Sequence, residues 1–172
     1  MTADSVTEPP SFVAMTTRTD IATHADCERL VCAFYAKAMS DPIIGWLFTD
    51  VARLDLEAHV PQIAAFWETV LLGTKSYSGT PFEPHARLHA KANLRAGHFG
   101  RWLALWTETV DELFAGERAE LAKAHALRVS QAFHRRLQSH PAPPLGADAG
   151  EAPTGDPRLA VTRHGPGTPT ER

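Results

Sequence analysis

His98-Phe99-Gly100-Arg101-Trp102-Leu103-Ala104-Leu105-Trp106 is the stretch on which the fold turns. Phe99, Trp102, Leu103 and Trp106, followed by Val110 and Leu113, recur at intervals of three and four. Those intervals gather them on one side of an α-helix and would scatter them over both faces of a strand. A long helix over 96–114 is predicted, separated by Gly116 from a last helix over 117–138 with Ala122, Ala126, Val129, Phe133 and Leu137 inward. Upstream, Thr23 stands three residues before Asp26 as a capping-box variant. Cys27, Leu30, Val31, Phe34 and Ala38 then form one stripe, which Asp41-Pro42 ends. Ile43 to Phe48 reads as a turn or two of helix pressed on the core. His59, Ile63, Phe66 and Val70 share a face of a second long helix that runs from near Asp55 to Leu72, with Gly73 as its stop. Pro61 lacks a backbone donor, which predicts irregular chain over 55–59. Residues 73–84 read as loop, and His85 to Leu94 as at most a short helix. No segment alternates as a strand does, so an all-α domain is expected.

A length of 172 residues supports one compact domain without disulfides or structural metal. Three parts are expected: a flexible N-terminal arm over 1–21, a folded domain over 22–139, and a disordered Pro/Gly-rich tail over 140–172. In that tail almost nothing apolar remains to offset ordering entropy. The net charge is −3 and the 17 basic residues are scattered. No nucleic acid and no membrane surface is expected as partner. Cys27 and Cys32 point about 140° apart on one helix and read as buried, reduced thiols. With no apolar run of membrane-spanning length and no basic-then-apolar leader, the chain is expected to be a cytoplasmic monomer.

The residues that carry chemistry are histidines set among aromatics. His59 faces inward beside Ile63 and Phe66, and His85 follows a loop and a proline that would hold its ring stiffly. Each, taken alone, also reads as a core histidine bonded to backbone. Together they suit an iron porphyrin, which needs one neutral imidazole, an apolar slot and a few polar groups over the opposite face. Tyr35 beside Phe34 is a buried phenol that must find a partner, either a ligand or a backbone carbonyl. Phe48, Phe66, Trp67, Trp102 and Trp106 read first as plain core, and as cofactor wall only through their joint pattern. His89 and His98 remain rivals of His85, with His98 suited to capping its helix and His89 to an exposed position; Arg87, Lys91 and Arg95 are candidate propionate partners.

The chain resembles group III truncated haemoglobins over residues 23 to 139. The resemblance is carried by Ala33-Phe34-Tyr35-Ala36-Lys37, by His59 with Ile63, Phe66, Trp67 and Leu71-Leu72-Gly73, by Tyr77-Ser78-Gly79-Thr80-Pro81 leading to His85, and by His98 to Leu103. It implies a two-over-two helical sandwich holding haem b. It further implies His85 as proximal iron ligand, Tyr35 as the distal hydroxyl that donates to a ligand, and His59 as distal gate. Phe34 and Phe48 would be pocket aromatics, Ile63 and Phe66 wall residues, and Trp102 the indole closing the distal side. Pro61 departs from the family pattern. The implied function is reversible binding of a diatomic ligand, O2, CO or NO. Nitric oxide dioxygenase or peroxidase-like chemistry is a possible addition, with an electron-donating reductase as partner. Two other readings stay open: a carboxylate-bridged di-iron bundle built on His24-x3-Glu28 and His85-x3-His89, and a helical interaction module without cofactor.

Overall fold

Five α-helices and one π-helical turn account for the regular structure of residues 18–139, the part of the chain described by the computed structural model. The expected tail and the expected arm up to residue 17 lie outside these residues. Helix α1 (His24–Ser40) starts on the capping box read from the sequence, with Thr23 and Asp26 each accepting from the other's backbone N–H. Its buried stripe is Cys27, Leu30, Val31, Phe34, Tyr35 and Ala38. The short helix expected over 43–48 is helical at 45–46 and continues as a π-helical turn (Leu47–Val51). Helix α2 (Leu56–Leu72) is capped by the Asp55 carboxylate and stops at Gly73, whose φ of 71° a β-carbon disfavours. Helices α3 (Phe82–Ala92), α4 (Ala96–Leu113) and α5 (Glu117–Gln138) complete the unit.

The α1/α2 pair lies over the α4/α5 pair, because α1 packs on both α2 and α4 and α5 packs on both α4 and α2. This is a two-over-two sandwich. Short α3 rests on the π-turn and on α5, which puts His85 at the edge of the space the longer helices enclose. Phe34, Trp106, Val110 and Phe114 are sealed in the centre, where burying side chains of this size contributes about 1.5–3 kcal/mol each. The Asp41 carboxylate, at the end of α1, accepts from Arg101 of α4 through Nε at 2.8 Å and Nη2 at 2.7 Å. Its other oxygen takes the N–H groups of Ile43 and Ile44, which turns the chain into the π segment.

Several boundaries differ from the sequence reading. Asp20 and Ile21, assigned to the arm, are packed: Ile21 is fully buried, and Asp20 accepts from the N–H groups of Arg118 and Ala119 at 2.9 Å each, capping α5. Gly116 permits this approach, since a β-carbon there would overlap the Asp20 carboxyl, and its φ of 145° suits glycine alone. Residues 56–59 are regular helix with Pro61 inside it, because the carbonyl that loses its donor belongs to exposed Glu57 and faces water. Helix α3 begins at Phe82, three residues before the expected start, and Pro84 sits in the first turn where no N–H is needed. Cys32 is exposed, one position beyond the buried stripe, while Cys27 is buried and its thiol is pushed up to about 11, chiefly by burial.

Candidate functional site

The first turn of α3 fixes His85. Its Nδ1 lies 2.8 Å from the carbonyl oxygen of Pro81, four residues earlier. A carbonyl only accepts, so Nδ1 carries the proton and Nε2 carries the lone pair. Burial lowers the pKa of this imidazole, and the bond to Pro81 opposes the shift only in part. The ring is therefore held neutral, in one tautomer, with Phe133 of α5 tilted against it at 4.8 Å between centroids. The sequence offered no acceptor for Nδ1, because it placed Pro81 in a loop and not one helical turn before the ring.

On the other helices a second polar pair forms. Tyr35 of α1 and His59 of α2 join Oη to Nε2 at 2.8 Å, with the rings edge to face at 5.4 Å. Tyr35 is 7% exposed, and burial holds its phenol protonated. His59 is half-buried; burial lowers its pKa first, and the His85 imidazole adds to the effect. Phe48 from the π-turn stands at right angles to Tyr35 at 5.8 Å. Phe34 touches Tyr35, Trp102 and Trp106 at 5.2, 5.8 and 5.3 Å. The structure thus brings Phe34, Tyr35, Phe48, His59 and Trp102 into one contiguous set, while the contacts of His85 are with Pro81 and Phe133. Ile63 packs against the core from α2. Phe66 lies further along α2 and makes ring contact with none of these five, meeting Trp67, Tyr77 and His125 instead. A groove of about 400 Å³ between α1 and α2 reaches Tyr35 from outside, with Cys32, Val60 and Pro61 in its wall.

The rival histidines are placed differently. His98 accepts the N–H of Arg95 at 3.2 Å and caps α4, a role legible in the sequence. His89 is buried, contrary to the exposure expected of it, and its Nδ1 has no hydrogen-bond partner among the described residues. His24 pairs with Glu68 at 3.1 Å and not with Glu28. Among the described residues no three His, Cys, Asp or Glu side chains gather into a metal cluster. The di-iron arrangement accordingly finds no ligand set there. Arg87, Lys91 and Arg95 are all exposed, and Arg87 reaches Glu83 at 3.9 Å. No helix among the described residues is long and apolar enough to cross a membrane.

Sequence reasoning missed two residues that shape this region. Leu105 and Thr109 are buried on α4, between the lines of large side chains that marked its inner face. Thr109 satisfies its hydroxyl on the Leu105 carbonyl at 2.7 Å, a back-bond that gives no sign in the sequence.

No family model matches the chain, and no curated protein does. Among solved structures, a group III truncated hemoglobin from Campylobacter jejuni superposes with a TM-score of 0.63 at 22% identity, over 74% of this chain and 100% of that chain. The chain therefore has the all-α, two-over-two fold of a truncated haemoglobin.

Proposed function

We propose that the chain is a cytoplasmic, monomeric haem protein that binds haem b through His85 and reversibly binds a diatomic gas, O2, CO or NO. One observation carries the reading: His85 is partly buried and held neutral, with Nδ1–H committed to the Pro81 carbonyl and the Nε2 lone pair left over. Iron porphyrin takes a neutral imidazole of this kind, and a carbonyl on the far nitrogen fixes the ring and makes the ligating nitrogen more basic. The donor set fits the group. When bound, the iron supplies reversible coordination of the gas and one-electron chemistry.

The remaining work belongs to the chain. Phe34, Phe48 and Trp102, with Ile63 and Phe66 behind them on α2, exclude water and give the macrocycle apolar walls. Tyr35 keeps its phenolic proton and can aim it in either of two directions. When His59 is protonated on Nδ1, Oη–H donates to its Nε2. When His59 is protonated on Nε2 instead, having given its Nδ1 proton to water and taken one at Nε2, it donates to the Tyr35 oxygen and the phenolic proton is free for the gas. The exchange needs a neutral His59, which burial secures. The groove beside Tyr35 provides an approach from solvent, and His59, bonded to Tyr35, is the proposed gate. The same donor pair would polarise an O–O bond, which suits nitric oxide dioxygenation or a peroxidase-like reaction supported by a reductase.

His85→Gly tests the reading. The variant is expected to lose stable haem retention and to regain the haem absorption band when free imidazole is supplied. Undiminished retention without imidazole would assign the iron to His89 or His98.

A further inference from the structure

Three of the chain's four tryptophans form a stack, of which the proposed gas site uses Trp102 at one end. Trp67 of α2 lies on Trp106 of α4 at 4.4 Å between centroids and 20° between planes. Trp106 continues to Trp102, one turn earlier on α4, at 6.0 Å and 5°. Phe34 bridges this end to Tyr35. At the other end Trp67 meets Phe66 at 5.3 Å, and Phe66 meets Tyr77 at 5.4 Å. An unbroken aromatic path therefore joins the Tyr35 and Trp102 region to Tyr77, which is partly exposed.

Trp67 and Trp106 are 3% and 1% exposed, and Nε1 of Trp106 has no hydrogen-bond partner among the described residues. An orphaned donor of this kind costs about 1–3 kcal/mol. A phenyl ring would carry no orphaned donor, though it would leave part of the volume unfilled. What it could not supply is the redox chemistry of the indole. Indole and phenol give up one electron more readily than the other aromatic side chains. An oxidised indole usually passes its Nε1 proton to a neighbouring acceptor, and the charge stops there. Trp106 has no acceptor among the described residues, so its radical cation keeps the proton and is refilled by the next ring. Tyr77 differs because its phenolic proton can leave to water, which ends the migration.

We propose that Trp102, Trp106 and Trp67 relay oxidising equivalents, one electron at a time, from the haem site to Tyr77. The proposal rests on the haem reading above, and the oxidant is a hydroperoxide. Cleaving its O–O bond to alcohol and water consumes two electrons and two protons. Each passage sends one electron inward from Tyr77, releases the phenolic proton to water, and leaves a tyrosyl radical. A small one-electron donor in solution, a phenol or a thiol, returns hydrogen to that radical. Two passages balance one hydroperoxide.

The test needs no haem. Cys32 is exposed and Cys27 buried, so a ruthenium polypyridyl photo-oxidant can be attached at Cys32 of the purified full chain. The chain has two tyrosines, and a Tyr35→Phe background leaves Tyr77 as the sole phenol. After flash oxidation with a cobalt(III) quencher, an indole radical cation is expected first, decaying as tyrosyl absorption rises. Tyr77→Phe is expected to leave the indole signal long-lived with no tyrosyl band. Trp106→Phe is expected to lose the tyrosyl band, and Trp67→Phe supplies the same test at a second position. A tyrosyl signal undiminished in both tryptophan variants, or one that no indole cation precedes, overturns the relay. If the chain takes up haem and the relay fails, the haem reading stands. If the chain conducts but takes up no haem, the haem reading falls and the hydroperoxide role falls with it.

Discussion

Removing one oxygen atom, in Tyr35→Phe, isolates the polar contact on which the proposed ligand control depends. The phenyl ring keeps the edge-to-face packing with Phe34, Phe48 and His59, so the shape of the pocket is retained. What disappears is the 2.8 Å bond to His59 Nε2 and the donor it can offer to a gas. His59 is half-buried and water can take up its freed nitrogen, so the stability cost should be near the net worth of one hydrogen bond, about 1 kcal/mol. The effect on the ligand is larger, because a bound gas in a water-free pocket finds no replacement donor. Loss of a hydrogen bond there costs about 1.5–3 kcal/mol, roughly a tenfold to hundredfold faster release. Stopped-flow displacement of O2 by CO reads this rate directly, and urea unfolding reads the stability. An unchanged oxygen dissociation rate in a folded, haem-loaded variant would remove Tyr35 from the ligand site and refute the reasoning.

Three further outcomes follow from the packing. Gly116→Ala drives a β-carbon into the Asp20 carboxyl at a φ of 145°, and is expected to destabilise the fold by about 2–3 kcal/mol in urea unfolding; an effect below about 0.5 kcal/mol would mean that the cap of α5 is dispensable. The Arg101 guanidinium holds the Asp41 pKa below its unfolded value near 3.9, with the Ile43 and Ile44 amides adding to the shift. The stability this contributes is complete above that unfolded value and is lost as pH falls through the lower, folded pKa. Asp41→Asn should therefore be less stable at neutral pH, with a shallower acid limb in its stability profile; identical acid limbs would contradict the assignment. A thiol reagent at neutral pH is expected to modify Cys32 quickly and Cys27 only on unfolding, since burial both shields Cys27 and raises its pKa to about 11; equal rates at the two thiols would contradict the burial of α1's inner stripe.

Helix α1 was legible because local signals agree: the capping box of Thr23 and Asp26 marks its start, and the stripe from Cys27 to Ala38 runs without interruption. Helix α5 was legible for the same reason, through Ala122, Ala126 and Leu137. The misses share a different origin, since tertiary contacts override local preference at each of them. Asp20 and Ile21 carry no helical pattern and are ordered by the N-terminus of α5, a partner nearly a hundred residues away. Pro81 and Pro84 read as loop formers, yet both occupy the start of a helix, where proline's missing N–H does no harm. The π-turn from Leu47 to Val51 follows from backbone bonds anchored by Asp41, which side-chain periodicity does not record. At the candidate site, residue types and spacing singled out His59, His85 and Tyr35, whereas the carbonyl that orients His85 and the pairing of Tyr35 with His59 exist only once the helices are assembled.

The central claim is tested most directly by titrating the purified chain with haem under reducing conditions while recording absorption and resonance Raman spectra. Stoichiometric uptake with an intense Soret band, and an iron–imidazole stretch that His85→Gly abolishes, is the predicted result. A chain that stays colourless, or an iron–imidazole stretch that survives the loss of His85, would contradict it.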